Sequence, residues 1–456
     1  MEHTDMRIQA VAFRGFAPFA DGEIEFPSPE QTVEQAVAVT TNKLGMVHLL
    51  TGQNGTGKTR LLSLMAAACG NPKDLMDRVG TASKLSAFVR LLADQQEGIW
   101  GPLNADGLTA AHLSTASNHA KISSRWIELV DSKERQQKQS GQLHQNCLSW
   151  ATGEETMALA FRGTVRATDA KIVAMSPLQP GADASHLTFD RPPNEDTLVC
   201  QSMANLKVAA AMEQLRPEAE RSGRATAITK RLEAAISTVT GRTFAFDVRT
   251  SPDVHLKVYW GNVTMRIAEL PDGLRSIIGW LVSCIAKLDA KFPEHPSPLD
   301  IPLLLLLDEP ESHLHPAWQR QLIPAAQMLF PNSQMFIATH SPFVISSVNH
   351  GWIHVLRANA DGLVVADKPI ACSPGDTYLD VVSDILGIQE WYDPETENLL
   401  AEFRTIRKAV IEGNASVDFI RSKAEVIAIR SESLSNMMSR ELRQLDRLLV
   451  SEVAEP

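Results

Sequence analysis

Gly52-Gln53-Asn54-Gly55-Thr56-Gly57-Lys58-Thr59 fits G-x-x-x-x-G-K-[ST], the pattern of a phosphate-binding loop. The flanking residues suit it. Met46-Val47-His48-Leu49-Leu50 reads as a short buried strand, and Arg60 to Ala66 reads as a helix. A strand, a glycine-rich turn and a helix N-terminus bring successive backbone N–H groups and a positive dipole end around an anion. In such a loop Asn54, Gly55, Thr56 and Gly57 wrap the phosphates. Lys58 reaches the β- and γ-phosphates, and the Thr59 hydroxyl holds Mg²⁺. The expected ligand is therefore a nucleoside triphosphate with its magnesium ion.

A second stretch completes the chemistry. Leu303-Leu304-Leu305-Leu306-Leu307 is a wholly apolar run, as expected of a central strand in a parallel sheet covered on both faces, and it ends in Asp308-Glu309-Pro310. Two carboxylates at such a strand end stand at the γ-phosphate side of the site. Asp308 is expected to order the Mg²⁺ shell, and Glu309 to accept the proton of the attacking water or to orient it. Phe336-Ile337-Ala338 is another strand, followed by Thr339-His340-Ser341-Pro342. A neutral imidazole at His340 can hydrogen-bond the γ-phosphate or the lytic water; the plainer reading is a satisfied surface histidine.

The rest of the chain supplies the frame. At 456 residues, with 44% hydrophobic and 21% charged, it has ordinary globular composition and can bury a large core. No apolar run approaches the roughly 18 residues of a membrane span. The N-terminus lacks a basic-plus-apolar leader, and the five cysteines are scattered without a C-x-x-C pair. Both fit a cytoplasmic protein, and the cysteine pattern argues against a zinc module. A net charge of −11 neither supports nor excludes nucleic acid, since contact with DNA would need a local basic patch.

Along the chain, Met6 to Phe26 alternates as an antiparallel hairpin, and Pro27 to Ala38 reads as a polar loop or short helix. Leu85, Val89 and Leu92 stand at helical spacing, predicting an amphipathic helix over Ala82–Ala93; Lys133 to Gln145 is polar and glutamine-rich. Lys171 to Met175 reads as a core strand. Helices are expected over Met203–Leu215 and Ala227–Val239, too short for a coiled-coil arm. Three alternating strands follow, Phe244–Arg249, Val254–Trp260 and Val263–Ala268, then an apolar helix over Leu274–Leu288. Trp352–Leu356 and Leu363–Ala366 make a hairpin. From Thr377 the chain is helical, with stripes at Leu399, Phe403, Ile406, Val410 and at Leu434, Met438, Leu442, Leu445, Leu449. This tail either caps the core or docks a partner. The divisions expected are residues 1–70 for the N-terminal part of the core, 71–165 for an inserted lobe, and 166–270 for a core strand, helix pair and antiparallel strands. Residues 271–372 form the second part of the core, and 373–456 the helical C-terminal region.

The phosphate-binding loop, the Asp308-Glu309-Pro310-Glu311-Ser312-His313-Leu314-His315-Pro316 run and the Ala338-to-Pro342 run together resemble ABC-type ATPases of the RecF and chromosome-maintenance (SMC-like) branch. They are similar in particular to the compact ATPases of bacterial antiphage systems and of overcoming-lysogenisation-defect proteins. The resemblance is strong over residues 46–69 and 265–357 and weak over the first hairpin. It implies an α/β fold: a phosphate-loop ABC-type core with a mainly parallel central sheet, an antiparallel β subdomain, helical insertions and a helical C-terminal region. It further implies a Mg²⁺-dependent ATP hydrolase that works as a head-to-head homodimer, each nucleotide meeting the other subunit's signature turn. Here that turn is Glu269-Leu270-Pro271-Asp272-Gly273-Leu274-Arg275, with Gly273 N–H groups facing a γ-phosphate in trans; Pro271 stands where the family has serine, which removes a donor. Gln179 resembles the family glutamine that touches Mg²⁺ and water. The C-terminal region resembles the tails of ATPases paired with a separate nuclease, as in Septu-like systems, which implies an effector in another polypeptide, and DNA or another nucleic acid as the object of the work. Two other readings stand beside this one. The first is the ATP-binding subunit of a membrane transporter, against which the long insertions and the signature turn weigh. The second is an ATP-dependent switch with little hydrolysis. His313 and His315 have no third ligand spaced to complete a metal site and read as the loop facing the second subunit.

Overall fold

The computed structural model describes residues 7–28, 44–69, 86–100, 112–114, 157–172 and 189–453, apart from 15, 94–95, 164–165, 190–194, 216–222, 252, 373–374, 376 and 389–391. Its strands are β1 (Arg7–Arg14), β2 (Gly22–Glu25), β3 (Met46–Gly52), β4 (Ser86–Ala93), β5 (Gln96–Trp100), β6 (His112–Ser114), β7 (Met157–Arg162), β8 (Phe244–Arg249), β9 (His255–Trp260), β10 (Val263–Met265), β11 (Leu303–Asp308), β12 (Ser333–Ala338), β13 (Gly351–Ala358), β14 (Val364–Ala366) and β15 (Ile370–Ala371). The helices that matter below are α1 (Lys58–Ala68), α2 (Glu195–Leu215), α3 (Arg224–Thr240), α4 (Asp272–Lys291), α5 (Pro316–Leu329), α6 (Pro342–Ile345), α7 (Pro394–Ile411), α8 (Val417–Ala428) and α9 (Glu432–Val453).

A seven-stranded sheet runs β14-β13-β3-β12-β11-β7, with β15 also on β13. The pairs β13–β3, β3–β12, β12–β11 and β11–β7 are all parallel. This explains the five-leucine run. All six residues of β11 are buried, and the alternation sends Leu304 and Leu306 into a core shared with α1, while Leu303, Leu305 and Leu307 point to the opposite face. The same core takes Ile8, Val11, Phe16, Phe19, Ile24 and Phe26 from the first hairpin. The phosphate-loop helix is thus enclosed between the parallel sheet and an antiparallel one, and its N-terminus is held at the strand ends.

That antiparallel sheet has five strands, in order β2-β1-β4-β5-β6. It corrects one expectation. Residues 86–93, inside the predicted helix, form strand β4, paired with β1 from Arg7↔Leu92 to Arg14↔Ser86. The spacing of Leu85, Val89 and Leu92 fits a helix, but Phe88 and Val89 suit a pleated surface, and an unpaired edge of β1 takes up the segment. Residues 82–85 lie outside the described residues. A second expectation is also revised: β10 ends at Met265, and Ile267–Glu269 turns as a 3-10 helix before α4. Lys171 and Ile172 form no strand, and residues 173–175, like Lys133–Gln145 and most of Pro27–Ala38, fall outside the described residues. The three-stranded sheet β10-β9-β8, α3 and the β13–β14 hairpin stand where the sequence places them, while α2 starts at Glu195, two turns before the expected Met203.

The chain divides into two compact units, Met1–Val381 and Val382–Pro456. Among the described residues of the second, α7, α8 and α9 pack around Leu400, Phe403, Val410, Ile420, Ile427, Leu434, Met438 and Leu445. Leu399, Ile406, Leu442 and Leu449 are half-buried against that core. No described helix is long and apolar enough to cross a membrane.

Candidate active site

The phosphate loop sits in the turn from β3 to α1. Gly52 is pressed so closely on β13 that a Cβ would stand 2.2 Å from the Leu356 carbonyl oxygen. Gly57 caps α1 with φ 82°, in the left-handed region, and a Cβ there would lie 2.9 Å from the Phe19 ring. No acidic residue occupies the first turn of α1, so the positive end of the helix is left for an outside anion. Lys58 folds back over the loop and donates to the carbonyls of Gly52 at 2.9 Å and Gln53 at 3.0 Å. Burial lowers its pKa to about 8, against the opposing pull of the Glu309 and Asp308 carboxylates. Thr56 is buried and its hydroxyl donates to the Gln53 carbonyl, a contact that braces the loop.

The parallel sheet brings the distant segments here. Thr59 Oγ1 donates to Asp308 Oδ1 at 3.0 Å, across the sequence from α1 to the end of β11. Beyond β11 the backbone turns sharply. Glu309 has φ 50°, rare for a residue with a side chain, and its N–H donates to the Ala338 carbonyl at 2.9 Å. That turn leaves its side chain 47% exposed, with Oε1 3.7 Å from His340 Nε2. Burial chiefly, and Lys58 next, lower the His340 pKa, while Glu309 and Asp308 pull it back up; the ring is neutral at neutral pH. A cleft of about 550 Å³ is lined by Asn54, Gly55, Gly57, Lys58, Thr59, Glu309 and His340, together with Pro18 and Arg60. Seven predicted site residues thus meet around one volume, and Asp308 joins them through its hydrogen bond from Thr59. The Thr59 hydroxyl and the Asp308 carboxylate are hard oxygen donors placed side by side, a set that suits a magnesium ion.

One predicted residue stands elsewhere. Gly273 is in the first turn of α4, buried, where a Cβ would meet the His313 carbonyl oxygen at 3.0 Å. Its contact within this chain is the loop before α5. Gln179 lies outside the described residues. His315 caps α5, its Nδ1 accepting from the Ala317 N–H, and among the described residues no three metal-ligating side chains cluster.

The sequence reading missed Arg162. It ends β7, in register with Asp308, and its Nε donates to Asp308 Oδ2 at 3.3 Å. The run Met157-Ala158-Leu159-Ala160-Phe161 is the signal that could have found it: five apolar residues of strand length, closed by Arg162-Gly163. Pro18 and Arg60 were missed as well. The Arg60 guanidinium lies over the Phe16 ring and holds the Ala17 carbonyl, so the tip of the first hairpin is fastened to the loop.

A parallel sheet with a phosphate loop, an Asp-Glu strand end and a histidine at the neighbouring strand end form the core of a phosphate-loop nucleotide-binding fold. Comparison with known proteins agrees: residues 166–346 match the family described as "AAA domain, putative AbiEii toxin, Type IV TA system". Over 96 residues the chain is 32% identical to the retron Ec83 probable ATPase of Escherichia coli, covering 21% of this chain and 18% of that one. Over 190 residues it is 24% identical to the Septu protein PtuA of Bacillus thuringiensis, covering 40% of this chain and 46% of that one. The matched stretches therefore span less than half the length of these relatives. Among solved structures, a crystal structure of an SMC head bound to the C-terminal winged-helix domain of ScpA aligns with 81% of this chain and 98% of its own, at 12% identity and TM-score 0.45.

Proposed function

We propose that this chain is a Mg²⁺-dependent ATP hydrolase of the antiphage-defence type, in which ATP closes a head-to-head homodimer and hydrolysis reopens it. The observation that carries the catalytic part is the convergence of Lys58, Thr59, Asp308, Glu309 and His340 on one cleft. The triphosphate enters against the loop N–H groups and the α1 dipole, and Lys58 leaves the Gly52 and Gln53 carbonyls for the β- and γ-phosphate oxygens. A magnesium ion, held by Thr59 and Asp308, would neutralise charge that develops on those oxygens. A water beside Glu309 attacks the γ-phosphorus as the bond to the β-phosphate oxygen breaks, and its proton passes to Glu309. His340, neutral, donates from Nε2 to the γ-phosphate or to the water. Its strand-end position makes it the residue whose contacts differ between ATP and ADP.

The wider role rests on likeness. The relatives named for retron and Septu systems support a place in phage defence, with a separate effector such as a nuclease doing the damage and DNA or another nucleic acid as its object. The switch reading, in which ATP is bound but scarcely hydrolysed, keeps one observation in its favour: Pro271 begins the turn before α4 and supplies no side-chain cap.

Steady-state phosphate release tests the catalytic account. Lys58→Ala is expected to lose ATP binding, whereas Glu309→Gln keeps binding, loses turnover by about 10²-fold or more, and accumulates as the ATP-bound dimer in light scattering. Undiminished turnover in Glu309→Gln removes the assigned base. Negligible turnover in the unmodified chain, with tight ATP binding, decides for the switch.

A further inference from the structure

Beneath the Glu309 turn lies a carboxylate that the mechanism above does not use. Glu311 is 5% exposed, and one of its oxygens, Oε2, has no hydrogen-bond partner. Its Oε1 accepts from the hydroxyl of Thr339, the fully buried residue just before His340. The Thr339 hydroxyl in turn accepts from the Ser341 N–H at 3.0 Å. Ser341 Oγ donates to Gln319 Oε1 at 2.6 Å, Gln319 Nε2 donates to the Leu314 carbonyl at 3.0 Å, and the Leu314 N–H donates to the Glu311 carbonyl at 3.0 Å. The hydrogen bonds close a circuit through Glu311, Thr339, Ser341, Gln319 and Leu314. Glu309 lies at one side of it and His340 inside it.

A carboxylate is a costly group to bury, and more so with one oxygen unpaired. Burial pushes the Glu311 pKa up to about 7, the Glu309 charge adding to the rise and the Thr339 hydroxyl and the backbone N–H groups of Glu311 and His340 opposing it. A residue that only filled space here would be stabler as an apolar side chain, which makes the polar link itself the feature to explain.

We propose that Glu311 is a positioning residue: through Thr339 it fixes the strand end that carries His340 against the turn that carries Glu309, and so sets the separation of the two catalytic side chains. This rests on the reading of the cleft as an ATP-hydrolysing site. Neither Glu311 nor Thr339 lines the cleft. Loss of the link is therefore read as a misplaced pair, with nucleotide binding intact.

Thr339→Val removes the hydroxyl at constant shape, and Thr339→Ser keeps it. The Val variant is expected to bind ATP as the unmodified chain does while its kcat falls about tenfold or more, since a small misplacement of reacting groups is enough for that; Ser is expected to rescue. Glu311→Gln, which retains an acceptor oxygen, should fall less than Glu311→Met. Equal kcat in Thr339→Val and the unmodified chain, or equal impairment in the Val and Ser variants, overturns the proposal. A readout that needs no turnover separates its failure from failure of the ATPase reading. The His340 ring resonance, identified by its disappearance in His340→Gln, should move in nucleotide-free Thr339→Val and stay in place in Thr339→Ser. A resonance unmoved in both overturns the positioning role even if the chain hydrolyses no ATP. A moved resonance without any phosphate release sustains the placement and rejects hydrolysis.

Discussion

At the scale of single residues, Lys58 carries a pH signature. In the ligand-free chain burial holds its pKa near 8, so above that pH a growing share of the side chain is neutral and can no longer pair with phosphate oxygens. Binding of ATP favours the charged form, and affinity should therefore fall as pH rises through 8, approaching about tenfold per pH unit at the alkaline end. His340 imposes no opposing trend there, since its lowered pKa leaves it neutral throughout. Calorimetric titration of the chain with ATP between neutral and alkaline pH measures this, and a flat affinity would mean that the Lys58 ammonium is not what meets the phosphates. Lys58, Thr59, Asp308, Glu309 and His340 were legible in the sequence because each belongs to a motif whose spacing the chemistry dictates. Arg162 was not, because its role comes from register alone. Nothing within Met157–Arg162 announces that β7 will lie beside β11 and bring a guanidinium to Asp308.

At the scale of elements, the central strands β11 and β12 and the hairpins were readable, whereas β4 and β7 were not. A parallel core strand must be apolar on both faces, which marked β11 and β12. A strand such as β4 is defined by its partner β1, and periodicity within it misleads. The junction of β7 and β11 shows how closely these elements meet: Gly163 donates its N–H to the Asp308 carbonyl, and a Cβ there would stand 1.8 Å from the Glu309 carbonyl oxygen. Ser276 of α4 donates to the Gly163 carbonyl at 2.7 Å and prevents the strand end from backing away. Gly163→Ala is accordingly expected to displace the Glu309 turn, with phosphate release down about tenfold or more and ATP binding kept; a variant with normal turnover would show that the turn tolerates movement. A second junction, between β3, β12 and β13, buries His48 against His354 with rings 3.2 Å apart at Nδ1 and Nε2, and Gln334 bridges His48 to β1. Burial lowers both histidines, His354 to about 3. A folded-state pKa below the ordinary 6.5 means that the folded chain takes up the proton less readily than the unfolded one. The stability this pair contributes is whole above pH 6.5 and is lost as the pH falls toward 3, by about 1.4 kcal/mol per pH unit for His354 alone. Chemical denaturation of the chain at pH 7 and pH 5 measures the loss, and His354→Phe should flatten it.

At the scale of the whole molecule, the core around α1 and the core of the C-terminal helices share no residue among those described. The one around α1 draws on residues from Ile8 to Ala366, and the helical one on residues from Tyr392 to Leu449. Every residue lining the cleft lies in the first compact unit, Met1–Val381. The sequence stripes on α7 and α9 announced the second core, and Ile420, Ala424 and Ile427 of α8, not singled out in the sequence, complete it. Three amphipathic helices that bury Phe403, Ile420 and Leu434 together satisfy their apolar faces among themselves, so the cleft has no energetic need of them. A chain ending at Val381 is expected to bind ATP as the full chain does. The same truncation should abolish any pull-down of an effector if residues 382–456 are what the effector grips, for the exposed Phe419 and Val426 of α8 lie outside the helical core. Calorimetry on the truncated chain reads the first outcome and co-purification from the native host reads the second. Loss of ATP binding on truncation would mean that the two units are coupled in a way their separate cores do not require, and retained effector binding would move the docking surface onto the ATPase core.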